Sequence, residues 1–239
     1  MSRQARLTPS SLATYEKTSV KMDDGRPMGL VFGVPEKPTK PSSCMVIAHG
    51  AGGPMYSPFI THFHSELARK GILSVKFNFP YMEAKKKIPD RMDVLKKSYL
   101  RIIEEARSSS HHPAKIFIGG KSMGGRVASM IAADGADVDG LFFLGYPLHS
   151  PGNFEQLRDE HLYKIAKPML FVSGTRDTFA RRDLLERVLE KLGQKAQVYW
   201  VEGGDHSLKG HGGKDELART YESVLVTLLG WSAKISVAS

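Results

Sequence analysis

The chain has 239 residues, 41% hydrophobic and 25% charged, a balance that excludes intrinsic disorder and suits one domain with one generous core. Its 34 basic residues exceed its 25 acidic ones, giving a formal charge of +9, but no zinc-finger spacing or RNA-binding aromatic pattern accompanies the excess, and no specific nucleic-acid partner is expected. The single cysteine, Cys44, excludes an intramolecular disulfide, and neither a secretory apolar stretch nor a run of membrane-spanning length is present, so a soluble, cytoplasmic protein is expected.

Residues 1–16 read as an N-terminal tail and residues 17–239 as one domain. Ser19-Val20-Lys21-Met22 and Leu30-Val31-Phe32-Gly33-Val34 flank the turn Asp23-Asp24-Gly25, which predicts an antiparallel hairpin at a sheet edge. The stretch from Pro35 to Pro41 is then a surface connection. From Cys44 onward, short apolar runs rich in Val, Ile and Phe alternate with longer amphipathic stretches. The runs predict buried strands at 44–49, 72–77, 115–118, 139–144, 168–172 and 196–201. The stretches predict helices near 57–70, 92–109, 123–133, 181–192 and 214–230. Strand followed by helix, repeated, is an α/β architecture: a mostly parallel, doubly wound sheet flanked by helices.

The first buried strand runs into His49-Gly50-Ala51-Gly52-Gly53, where glycines let backbone N–H groups come close to a bound molecule. A phosphate loop would need a Gly-Lys-Ser/Thr ending, which is absent after Gly53. Ala51 is the candidate donor to a developing oxyanion and Gly52 the next candidate, also a candidate substrate contact; His49 reads as structural. After the second strand, Phe79-Pro80-Tyr81-Met82 places Tyr81 at the sheet edge where α/β folds bind ligands. Either it lines a pocket or it packs as aromatic core. The basic segment 85–101, with Lys85, Lys86, Lys87, Arg91, Lys96, Lys97 and Arg101, is a solvated face or one that attracts an anionic substrate.

The strongest signal follows the third strand. Ile116-Phe117-Ile118-Gly119-Gly120-Lys121-Ser122-Met123-Gly124-Gly125-Arg126 is an apolar strand entering G-x-S-x-G and then a helix. A strand-to-helix turn that exposes a nucleophile is tight and strained, so it needs glycine on both sides of the serine. Ser122 is thereby the candidate nucleophile, and the Met123 N–H is the other candidate oxyanion donor at the positive end of the helix. Tyr146-Pro147-Leu148-His149 follows the next strand and makes Tyr146 and His149 further pocket candidates, again with aromatic core as the alternative.

A serine hydroxyl needs a base, and the base needs a group that holds it in the right tautomer. Asp177 stands after the strand ending at Val172, in Ser173-Gly174-Thr175-Arg176-Asp177. His206 stands after the strand ending at Val201, in Glu202-Gly203-Gly204-Asp205-His206-Ser207. Asp205 is a rival acid, but sequence neighbours rarely face one another well enough to orient a ring nitrogen, so Asp177 is favoured. His62, His64, His111, His112, His161 and His211 lack a matching position and read as surface or structural. His111-His112 has no further ligands at metal-binding spacing, so neither metal nor organic cofactor is expected.

The elbow GKSMGG, the loop HGAGG, the acid segment SGTRD and the base segment GGDHS occur together in this order. In this the sequence resembles the α/β-hydrolase superfamily, in its dienelactone-hydrolase-like branch. Phe77-Asn78-Phe79-Pro80-Tyr81 and Gly145-Tyr146-Pro147-Leu148-His149 resemble, more narrowly, a small group of predicted hydrolases related to the testis-expressed and histone-acetyltransferase-complex subunit proteins. The resemblance covers roughly residues 17 to 230. It implies the fold with little or no lid, a Ser122–His206–Asp177 triad, and hydrolysis of an ester-like bond. Dienelactone hydrolases themselves use a cysteine nucleophile where Ser122 stands, so their substrate does not carry over.

The expected activity is therefore hydrolysis of a small carboxylic ester or thioester through an acyl-enzyme. A catalytically silent interaction module of the same fold is the alternative from another class, and the complete triad argues against it. A peptidase or a lipase ranks lower, since propeller, lid and long apolar flap are missing from the sequence.

Overall fold

The computed structural model describes residues 13–40 and 42–237. Eight strands, β1 (Ala13–Lys21), β2 (Pro27–Pro35), β3 (Ser43–Ala48), β4 (Leu73–Phe77), β5 (Lys115–Lys121), β6 (Gly140–Leu144), β7 (Met169–Gly174) and β8 (Ala196–Val201), form one sheet. Their order across the sheet is β1-β2-β4-β3-β5-β6-β7-β8. The strands from β3 to β8 run parallel to one another, while β2 lies antiparallel to both β1 and β4. This is the expected mostly parallel α/β sheet, with the expected hairpin at its edge.

The hairpin is longer than the apolar pattern predicts. Pairing runs from Lys21↔Pro27 out to Ala13↔Pro35, so residues 13–16 belong to the sheet and not to the tail. Between Ala13 and Val20 the β1 side chains are exposed, as befits an edge strand, and they carry no alternation to read. The rest of the expected tail lies outside the described residues.

Helices α1 (Pro58–Arg69), α2 (Pro80–Glu83), α3 (Met92–Ser108), α4 (Met123–Ala133), α5 (Arg182–Leu192) and α6 (Gly213–Val237) cover both faces. The period of two along β3 divides the core: Cys44, Val46 and Ala48 face one layer, Met45 and Ile47 the other. The first layer packs Tyr99 of α3 and Val127 of α4 on Phe77, Phe143 and Phe171. The second packs Phe63 of α1 with Tyr221, Leu228 and Trp231 of α6 on Phe117 and Phe142. Trp231 lies 5.5 Å from the Phe117 ring centre, which extends α6 past residue 230 to Val237. The Tyr99 hydroxyl sits between two strands, 2.8 Å from the Val46 carbonyl and 2.9 Å from the Gly119 N–H that donates to it. It braces β3 against β5 directly beneath the turn that follows β5.

Between β6 and β7 the chain forms a loop with a single turn of 3-10 helix at Leu162–Lys164, and no helical lid rises over the sheet edge. Among the described residues no helix is long and apolar enough to cross a membrane.

Candidate active site

β5 ends at Lys121, α4 begins at Met123, and Ser122 joins them at φ 50° and ψ −116°. A non-glycine residue in that region is strained, and surrounding contacts must hold it there. They are visible. A Cβ on Gly120 (φ +150°) would lie 2.2 Å from the Ala48 carbonyl oxygen, and one on Gly124 2.6 Å from the same atom. The elbow is thus pressed against the end of β3, closer than any side chain allows. The Arg126 N–H donates to the Ser122 carbonyl at 3.1 Å and starts the helix directly behind the serine.

Ser122 meets His206 across the sheet edge. The serine Oγ is 2.8 Å from His206 Nε2, and His206 Nδ1 is 2.9 and 2.8 Å from the two oxygens of Asp177. With Nδ1–H donating to the carboxylate, Nε2 is left as an acceptor for the serine hydroxyl. The Asp177 side chain has no exposure to solvent, and its Oδ1 also accepts the Phe179 N–H at 2.8 Å. The Phe179 ring lies 4.4 Å from the imidazole, centre to centre. Gly145 (φ +72°) leaves room for the other side of the histidine loop, since a Cβ there would be 2.7 Å from the His206 carbonyl.

Asp205 is engaged elsewhere. Its Oδ1 accepts the N–H groups of Ser207 (2.7 Å) and Lys209 (3.0 Å), so it closes its own turn and does not meet the imidazole.

Ala51 and Gly52 stand exposed at the crest of the loop after β3, beside the elbow. Met123, as the first residue of α4, has an N–H without an intrahelical acceptor. His49 anchors the loop: its Nδ1 donates to the Gly50 carbonyl at 2.7 Å, and its Nε2 accepts the Phe79 N–H at 3.1 Å. Burial pushes its pKa down to about 4, which keeps the ring neutral and able to play both parts.

The three aromatic pocket candidates are placed differently from the pocket reading. Tyr81 is buried and its hydroxyl donates to the Ala51 carbonyl at 3.0 Å, so it braces the loop from below. Tyr146 is core: it packs on Phe143 and Phe171, and its hydroxyl donates to the Arg158 carbonyl at 2.8 Å. His149 is fully buried; Nδ1 donates to the Ser150 carbonyl and Nε2 accepts the Arg181 N–H, at 3.0 and 2.9 Å. It staples the loop after β6 to the loop carrying Asp177. All three residues follow strands at the correct edge, but they point down into the packing because loops there need an apolar underside. In the basic segment, Lys85, Lys86 and Lys87 are exposed, while Lys96 pairs with Asp134 and Arg101 with Glu104 and Glu105. Among the described residues no group of three or more His, Cys, Asp or Glu side chains could hold a metal ion.

One residue at the site carries no sequence signal beyond being an interior position of the elbow motif. Lys121 donates to the His206 carbonyl, and burial pushes its pKa down to about 8 against the pull of Asp177 and Asp205.

Solved structures share the architecture. Est1E of Butyrivibrio proteoclasticus with ferulic acid bound superposes with a TM-score of 0.73 at 17% identity, covering 90% of this chain and 99% of that one. A dienelactone hydrolase from Anabaena variabilis gives 0.69 at 17% identity, over 89% and 95% of the two chains. A Xanthomonas campestris α/β serine hydrolase described as lacking a lid gives 0.64 at 19% identity, over 85% and 89%. Likeness at such identities is likeness of fold. The sequence itself goes further, because residues 41–226 match the family described as Alpha/beta hydrolase domain. A match spanning β3 to α6, on a sheet ordered as above, makes this chain a member of the α/β-hydrolase family.

Proposed function

We propose that the protein is a serine hydrolase that cleaves a small carboxylic ester or thioester through an acyl-enzyme. The observation that carries this reading is the unbroken hydrogen-bonded line from the buried Asp177 carboxylate through His206 to Ser122 Oγ, every link 2.8–2.9 Å long. Ser122 attacks the carbonyl while His206 Nε2 takes its proton; Asp177 holds the ring and stabilises the imidazolium. The oxygen of the tetrahedral adduct is received by the N–H groups of Met123 and Ala51, each worth roughly 3 kcal/mol in the transition state. His206 then gives the proton to the leaving alcohol or thiol, and a water activated by the same ring releases the acid. No step calls for a metal or an organic cofactor.

The motifs around Tyr81 and Tyr146 support placing the chain with the small group of hydrolases named above. The absence of a helical lid between β6 and β7 favours small, freely diffusing esters over bulk lipid. Labelling with a fluorophosphonate probe tests the reading: wild type should label and Ser122→Ala should not. An unlabelled wild type would instead favour a silent member of the fold.

A further inference from the structure

Lys121 is the residue immediately before Ser122, and its side chain touches three separate segments at once. Its ammonium donates to the backbone carbonyl of His206. Its stem runs along Gly50 of the loop after β3, where an added Cβ would meet Lys121 Cγ at 3.4 Å. Its Nζ lies 5.1 Å from the centre of the Phe59 ring in the first turn of α1. Among the described residues no other donor reaches the His206 carbonyl, which the close approach of Gly145 walls in on its far side. The backbone of the histidine loop is otherwise tied to itself, through Asp205 and Lys209, and to the loop after β7, through Gly203 and Gly204, so Lys121 is what joins it to the elbow.

We propose that Lys121 is a positioning residue: as an ammonium it fixes the His206 loop onto the nucleophile elbow, and with it the distance between imidazole and serine. This rests on the triad reading above. A charged donor holds a carbonyl about twice as strongly as a neutral one. The charged groups facing Lys121 are Asp177 from the loop after β7 and Asp205 from the histidine loop; α1 presents the uncharged Phe59 and the loop after β3 presents Gly50. Burial opposes both carboxylates and brings the ammonium down to about 8, so the tether is charged at neutral pH and loses its charge in mildly alkaline solution. The consequence is a step in turnover that belongs to neither serine nor histidine.

The test is the pH profile of kcat and KM for hydrolysis of an activated ester by wild type, Lys121→Met, Lys121→Arg and Lys121→Gln, alongside fluorophosphonate labelling. Wild type should lose activity in a step near pH 8. Lys121→Met should lower kcat by about 10–100-fold with KM within about twofold, the loss expected when reacting groups drift by an ångström or less. Lys121→Arg, charged throughout, should restore most of kcat and abolish the step. If the Met variant fails to fold, Lys121→Gln, an uncharged donor, should run without a step at the level wild type reaches in alkali. A Met variant within about twofold of wild-type kcat, or a step that survives in Arg or Gln, overturns the role of Lys121 while labelling of wild type still stands. Failure of wild type to label, with Ser122→Ala as active as wild type, overturns the triad reading and this inference together.

Discussion

Replacing Asp177 by asparagine separates the two carboxylates beside the histidine, and the structure dictates the direction of the effect. Asp177 Oδ1 accepts the Phe179 N–H at 2.8 Å while both oxygens face His206 Nδ1. In Asp177→Asn the amide oxygen is drawn to the Phe179 N–H, because the amide nitrogen cannot accept it. The NH2 is then left against Nδ1, forcing that nitrogen to be the acceptor and moving the ring proton to Nε2. A protonated Nε2 cannot take the proton of Ser122. The loss should be about 10⁴ in the acylation rate, or about 5 kcal/mol of transition-state stabilisation. Asp205→Asn keeps an oxygen for the N–H groups of Ser207 and Lys209, and should stay within about tenfold of wild type. Single-turnover acylation by an activated ester, on variants shown by circular dichroism to be folded, measures both. A large loss in Asp205→Asn with a small one in Asp177→Asn would refute the argument.

Ser122→Gly and Ser122→Ala should both be inactive, but the glycine variant should be the more stable by about 1 kcal/mol in urea titration, because it relieves the positive φ at the elbow. Equal stabilities would mean that the turn stores no strain. Gly120→Ala should destabilise by at least about 3 kcal/mol or prevent folding, since its methyl would sit 2.2 Å from the Ala48 carbonyl; a soluble variant of near wild-type stability would contradict that packing. His49 and His64 are buried with pKa values pushed down to about 4 and about 3. The unfolded chain therefore takes up protons before the folded one does, so their contribution is fully present above about pH 6.5 and is lost as pH falls from there towards the folded values. Between pH 7 and 5 each should cost up to about 2 kcal/mol, and a flat stability profile over that range would show that both rings are protonated in the fold.

The parallel strands are legible because burial on both faces leaves continuous apolar runs, as in Met45-Val46-Ile47-Ala48. The elbow is legible because a turn pressed against β3 tolerates nothing larger than glycine at 120 and 124. Asp177 and His206 can be picked out because each follows its own strand and parallel strands end at one edge. The start of β1 cannot be read, since an edge strand facing water has no pattern. The roles of Tyr81, Tyr146 and His149 are ambiguous for a different reason. A loop at the ligand edge has an upper and a lower side, and sequence gives the residue without its direction. Lys121 is hidden because its partner is a backbone carbonyl, which any residue at position 206 would supply.

Among the described residues β8 closes the sheet on one side, pairs only with β7, and keeps several of its side chains partly open to water. The imidazole hangs just beyond that outermost strand, while the serine stands near the centre of the sheet. Local opening of a sheet margin requires far less free energy than global unfolding. Fraying of this margin would carry the base away from its acid and leave the inner strands folded, so catalytic competence should fade at a lower denaturant concentration than the fluorescence of buried Trp231, and should return last on dilution from the unfolded state.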